Sequence, residues 1–465
     1  MKKNLVLSLS LGALLGGCTM MPKYERPAAP VSGSWPGGSA QNNKTNFTAD
    51  IDWRDFFDDP RLQQLIGLAL ENNRDLRIAA LRVEQARAQY RIQRAELFPG
   101  AQGDASVVRQ KFSDAVTAFN GGAILTTYTV EVGAAYEVDL FGRVRSLKRE
   151  ALEKYFATDE ARKSVQIALV SEVATEYLTQ LRLREAKAIA QQTLEAVQSS
   201  YNLIQRRFEA GAASELDLST AEGQVQTVRV NAANYLQLLA ESENALVLLV
   251  GQPLPNNLPS GKPFQQQHLL TDLPVEVPSE VLQRRPDILA AENTLKAANA
   301  DIGAARAAFF PRILLTGSAG TASAKLSDLF TGPSATWSFS PQITIPLFDV
   351  GGTRAKLEVS KISKRIEIAN YEKAIQTAFR EVADALAARS ILDEKLKAQE
   401  LLLNALQKRF DLTNARYRQG VDSYLDVLLA QQDLYAAQQN LLQFQAARLL
   451  NTVALYRSLG GGWKS

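Results

Sequence analysis

The chain has 465 residues, 46% hydrophobic and 22% charged, enough apolar material for two or three folded domains or one elongated chain. Basic and acidic residues nearly balance, 52 Lys and Arg against 49 Asp and Glu, which speaks against a nucleic-acid partner. One Cys and one His exclude a disulfide framework and nearly every His/Cys metal site. Ser-His or Cys-His catalysis would have to rest on His268 alone, so the composition points away from an enzyme.

Lys2 and Lys3 precede an apolar run from Leu5 to Leu15, and Gly16-Gly17 then leads to Cys18. A basic start, a short apolar stretch and small residues before a cut describe a secretory signal over residues 1–17. The run is too short to cross a bilayer as a helix. A thiol directly after the small residues is where a bacterial lipoprotein carries its acyl chains. Cys18 is therefore expected to bear covalent lipid, with no other cofactor and no metal; a plain signal with an incidental Cys is the simpler alternative. Residues 18–61 would follow as a lipidated N-terminal segment.

The next segments come twice. Residues 62–251 form a first repeat, 252–272 a Pro-rich linker, 273–460 a second repeat, and 461–465 a tail. Asp75 to Pro99 is echoed by Asp287 to Pro311, Leu140-Phe141 by Leu347-Phe348, and Glu172-Val-Ala by Glu381-Val-Ala. Phe208-Glu-Ala-Gly211 through Leu216-Asp217 returns 209 residues later as Tyr417-Arg-Gln-Gly420 through Leu425-Asp426. Each half reads helix, strand, strand, long helix, turn, helix.

Residues 143–209 and 353–419 contain neither Pro nor Gly and are rich in helix formers. A continuous helix of that length would reach ~100 Å, as a coiled-coil or tubular assembly needs. Strands are expected at 101–112, 126–138, 313–322 and 337–347. Tyr128, Val130 and Val132 alternate with Thr129, Glu131 and Gly133; Trp337, Phe339 and Ile343 alternate with Ser338, Ser340 and Gln342. Such alternation suits a transmembrane strand with a polar lumen, and equally a half-buried soluble sheet. Pro341 should impose a bulge. Four strands cannot close a barrel, and lipid tolerates no open edge. Two chains would give a filled interior, whereas three would give twelve strands and room for a lumen. The loops 113–125 and 323–336 would then face outside. The fold class expected is α+β: long helices plus a shared 12-stranded barrel in a homotrimer, built on a tandem repeat.

At the two turns, Gly211 and Gly420 suit the left-handed end of a helix. Ser214 with Asp217, and Ser423 with Asp426, are capping-box-like starts of the next helix.

Cys18, Tyr24-Glu-Arg-Pro27, Asn72-Asn-Arg-Asp-Leu76, Glu137-Val-Asp-Leu-Phe-Gly-Arg143, Asn299 to Pro311 and Leu459-Gly-Gly-Gly-Trp463 together resemble the TolC-type outer-membrane factor family, in its lipidated OprM/CusC-like branch. The resemblance covers essentially the whole chain. It implies a trimer inserted in outer-membrane lipid, a helical tube through the periplasm, a periplasmic adaptor and an inner-membrane resistance-nodulation-division pump. The implied function is that of a passive conduit for drugs and other small toxic compounds. Copper or silver efflux and protein secretion are alternative cargoes; only Met1, Met20 and Met21 supply thioethers. A periplasmic coiled-coil scaffold would explain the helices alone.

In the family the turns line the closed aperture, so Gly211, Ser214, Gly420 and Ser423 become adaptor-docking tips. Asp217 and Asp426 are then gate candidates as well as caps. Where relatives carry an Asp one turn further on, this chain has Leu429, matched by Thr220 in the first half. Leu425 and Leu429 lie one turn apart on one face and suggest stacked leucine rings instead. Arg207 and Arg416 are expected to bond across neighbouring hairpins or to remain ordinary surface residues.

Overall fold

The computed structural model describes residues 19–36, 48–113, 124–270, 273 and 284–463. The signal segment, Cys18 and most of the loop 113–125 lie outside the described residues. Two compact units emerge, one from 1–28, 82–159 and 290–372, the other from 29–81, 160–289 and 373–465. Both repeats contribute to each unit, because the duplicated elements are long enough to run through both.

In the first unit, β1 (Gly100–Lys111), β2 (Ile124–Val138), β3 (Arg312–Ser323) and β4 (Ala335–Thr344) form one antiparallel sheet in sequence order. β4 stops short of the expected residue 347, because Pro346 has no N–H to continue a ladder. The bulge expected at Pro341 is also absent: Pro341 pairs with Leu315 in an unbroken register. β4 is an edge of the chain's sheet, and an edge strand needs ladder donors on one side only. Small polar side chains meet across β3 and β4, where Thr316 Oγ1 donates to the Ser340 carbonyl (2.9 Å) and the Ser318 and Ser338 hydroxyls are 2.9 Å apart. In the loop after β3, Ser334 is buried and its hydroxyl donates to the Leu329 carbonyl at 2.6 Å.

Residues 19–28 run as an extended strap along α5 (Pro286–Ala307), numbering helices from α1 (Pro60–Asn72), α2 (Arg74–Ala95), α3 (Arg143–Glu209) and α4 (Glu215–Val250). Arg26 makes a two-pronged ion pair with Glu292 (2.9 and 2.7 Å), and the Tyr24 hydroxyl donates to the same carboxylate. Burial pushes the Glu292 carboxyl up, but Arg26 and Lys296 outweigh it and hold the group below its ordinary value. Asn299 Nδ2 donates to the Pro22 carbonyl at 2.8 Å, and Arg306 to the Met20 carbonyl at 3.3 Å. Gly303 lets the strap close in, since a Cβ there would sit 2.9 Å from Met21 Cα.

In the second unit the same device closes both repeats. Asn73 Nδ2 holds the Leu249 carbonyl at 2.9 Å, and Arg285 holds the Ser458 carbonyl at 2.7 Å. These carbonyls end α4 and α7 (Tyr424–Ser458), whose long partners are α3 and α6 (Gly352–Arg418). After each comes a glycine with positive φ, Gly251 at 79° and Gly460 at 86°. A side chain at Gly251 would meet the Asn72 carbonyl oxygen at 2.4 Å, so the close approach requires glycine there. Helix α1 starts on Pro60 with Asp59 as its cap; that buried carboxylate also accepts from the Tyr177 hydroxyl (3.0 Å) and Gln267 (2.6 Å). Around it lies the main core, where Trp53, Phe56, Phe57, Leu62 and Leu65 pack on Val173, Tyr177 and Tyr456. Phe56 and Tyr456 stack at 4.0 Å and 6°. His268 is exposed in the linker. Arg285 also pairs with Asp287 and Glu381 at 2.7 and 2.8 Å.

Candidate functional site

The two hairpin turns gather the sequence-predicted residues. Gly211 (φ 73°) ends α3 and Gly420 (φ 76°) ends α6, in the left-handed conformation that other residues rarely adopt. Three residues on, Ser214 and Ser423 cap α4 and α7 with full capping boxes. Asp217 accepts from the Ser214 N–H (3.2 Å) and hydroxyl (2.7 Å); Asp426 accepts from the Ser423 N–H (3.1 Å) and hydroxyl (2.6 Å). Both carboxylates are thus engaged in starting helices, each using one oxygen twice.

Leu425 and Leu429, by contrast, are 53% and 44% exposed and share one face of α7. Beside them Tyr424, Val427 and Leu428 turn inward and are buried. At the matching position of α4, Thr220 donates its hydroxyl back to the Leu216 carbonyl (2.6 Å) and presents no leucine.

The two arginines behave differently. Arg207 reaches the other hairpin, where Nη1 donates to the Tyr417 hydroxyl at 2.7 Å and the guanidinium lies 5.4 Å from the ring centre. Arg416 does not cross to another hairpin within the chain; it folds onto Asp422 of its own turn with two bonds of 2.8 Å. The reason is one substitution between the repeats: Asp422 stands where the first turn has Ala213. The bond to Arg416 holds the Asp422 carboxyl below its ordinary value. Aligning the repeats position by position exposes this difference, which composition and helix signals do not.

Tyr424 seals the contact between hairpins. It packs with Ile204 and Ala221, flanked by Tyr201, Leu218 and Tyr417, and burial pushes its phenol up to about 12. No group of three or more His, Cys, Asp or Glu side chains is arranged to hold a metal among the described residues. No described helix is long and apolar enough to cross a membrane.

The chain with these capped hairpins, closed by Asn73 and Arg285, and this four-stranded sheet also matches a known sequence family. The model of the outer membrane efflux protein family matches twice, at residues 65–252 and 277–461. The chain belongs to that family. It is 47% identical over its whole length to the toluene efflux pump outer membrane protein TtgC of Pseudomonas putida, covering 96% of that protein. Outer membrane protein OprJ of Pseudomonas aeruginosa is 45% identical over 98% of this chain and 96% of its own. Among solved structures, a membrane protein from Pseudomonas aeruginosa superposes with a TM-score of 0.89 at 44% identity, covering 96% of this chain and 98% of that one. The open-state MtrE outer membrane channel of Neisseria gonorrhoeae gives 0.87 at 39% identity over 96% and 99% of the two chains. The chain is therefore an outer-membrane efflux component with the long-helix, four-stranded fold and internal duplication of these channels.

Proposed function

We propose that three copies of the chain close one passive conduit, with twelve strands in the outer membrane and a helical tube ending at the two turns. The observation that carries this reading is the sheet itself: four strands in sequence order leave β1 and β4 as edges that lipid does not tolerate. The conduit carries no catalytic group; energy comes from an inner-membrane resistance-nodulation-division pump, linked by a periplasmic adaptor that docks around Gly211–Ser214 and Gly420–Ser423. Its cargo is small toxic compounds, as the relatives named for toluene and antibiotic efflux suggest.

Cys18 carries the lipid in this proposal. Support comes from the strap, whose first described residues meet Arg306 near the end of α5, a few residues before β3 begins. A lipid on the residue before Thr19 would lie near the base of the sheet. Cys18→Ser should abolish labelling with radioactive palmitate; persisting label would overturn the assignment.

The gate in this proposal is apolar. Asp217 and Asp426 serve as caps, while Leu425 and Leu429 remain exposed and face the pore axis, excluding water by dewetting. Leu425→Ser with Leu429→Ser should raise single-channel conductance in planar bilayers several-fold, whereas Asp426→Asn should leave it near the native value. The opposite ranking would replace the leucine gate with an acidic one. Light scattering of the detergent-extracted protein should give three times the chain mass.

A further inference from the structure

Between β2 and β3 the chain shows how two neighbouring strand-to-helix junctions fit together. Phe141 follows β2, Phe310 precedes β3, and in the extended β2–β3 register they lie opposite one another. Their rings stack at 4.6 Å and 20°. An ion pair reinforces the seam: Arg143 grips Glu137 with two bonds of 2.8 Å, and Arg312 Nε adds a third at 2.7 Å.

The duplication supplies a second copy of both aromatics. Phe348 repeats Phe141 within Leu-Phe, and Phe98 repeats Phe310 within Phe-Pro. These two sit beside the outer strands β4 and β1, at opposite edges of the sheet, and cannot meet inside one chain. Phe348 is 88% exposed and Leu347 91%, with Phe98 at 62%. A helix-capping segment that leaves a Leu-Phe pair bare in the single chain lacks the partner its repeat has. The residues matching Arg312 and Glu137 at this second seam are Gly100 and Thr344, so that ion pair has no counterpart there. The aromatic pair is left to close it.

We propose that Phe348 of one chain stacks on Phe98 of the partner subunit, reproducing between copies the Phe141–Phe310 seam. This inference rests on the trimeric reading above and adds to it the residues that join β4 to the neighbouring β1. It gives the inter-subunit seam an aromatic pair without a counterpart of the Glu137–Arg312 ion pair that reinforces the seam inside the chain.

The test places cysteines at both positions in the full-length protein. The stacked pair inside the chain has ring centroids 4.6 Å apart, so thiols at its two positions come within reach of a disulfide once the backbone adjusts. Phe98→Cys with Phe348→Cys, after mild oxidation in membranes, should run as covalent oligomers up to the trimer on non-reducing gels. Phe141→Cys with Phe310→Cys should cross-link within the chain and stay at single-chain mass. Native protein, whose only cysteine, Cys18, carries lipid in the reading above and so offers no free thiol, should give no such ladder. Trimers of correct mass that form no ladder would overturn the seam and leave the trimer intact. A native monomer would overturn both. If the cysteine pair prevents assembly, a photo-reactive phenylalanine analogue at 348 keeps the ring. Its inter-chain adduct should then map to the peptide holding Phe98, and adducts elsewhere would overturn the proposal.

Discussion

The two hairpin turns began as one sequence and keep one backbone, yet they hold themselves differently. Gly211 and Gly420, Ser214 and Ser423, Asp217 and Asp426 are superimposable in role, because every long helix must end and restart with its free N–H and C=O groups satisfied. The turns diverge where no such requirement acts. Asp422 latches Arg416 inside the second turn, while Ala213 gives Arg207 no local partner and the arginine reaches Tyr417 instead. Tyr424 is buried where the first turn has exposed Glu215. The second turn thus holds its own arginine, while the two hairpins meet through Arg207 on Tyr417 and Tyr424 on Ile204 and Ala221. Duplication preserved what the backbone demands and released the side chains that meet other surfaces.

Tyr424→Ala should break this asymmetry most strongly. Truncating a buried aromatic side chain costs ~3 kcal/mol or more, and here the loss falls on the contact between hairpins. Hydrogen exchange should accelerate around Ile204 and Ala221, while Glu215→Ala leaves both turns unchanged. Equal effects of the two substitutions would show that the turns do not differ in burial.

Removing either cap should be milder and symmetric. Ser214→Ala and Ser423→Ala should each cost about 1 kcal/mol, read as faster exchange in the first turn of α4 or α7. A much larger loss at Ser423 would show that this serine stabilises more than its cap.

Smaller again is the bond that crosses between hairpins. Tyr417→Phe makes the second turn resemble the first and should weaken the contact by roughly 0.5–1 kcal/mol, the value of an exposed hydrogen bond. Ala213→Asp should then draw Arg207 into its own turn. In the double variant the Tyr417→Phe effect should vanish, and additivity would argue against competition for Arg207.

The least effect is expected from pH near neutrality. Asp422 has its carboxyl lowered by the bond to Arg416, so its latch contributes fully above the ordinary aspartate value near ~4 and fades only as pH falls through the lower folded value. Glu292 in the strap is lowered too, giving the same sign and an acid-side window. A spin label at Lys23→Cys should keep its mobility between pH 8 and 6 and gain mobility only at strongly acid pH. Release at pH 6 would contradict the lowered Glu292 in the strap.

The sequence alone determined the duplication, the helix breaks at the glycines, the caps and the strand pattern. Each of these is written in local chemistry: a left-handed glycine, a Ser three residues before an Asp, or a period of two. Helix bounds were legible to within a residue because Pro and Gly punctuate them. Only the tertiary structure decided what depends on neighbours distant in the chain. Pro341 keeps an unbroken register with Leu315 of β3, a pairing no residue near it encodes. Arg26 and Arg306 fix the strap on α5 across more than 260 residues of sequence, and Arg207 finds Tyr417 across 210. Such pairings depend on which surfaces packing brings together, as the buried cluster of Ile204, Ala221 and Tyr424 does beside Tyr417.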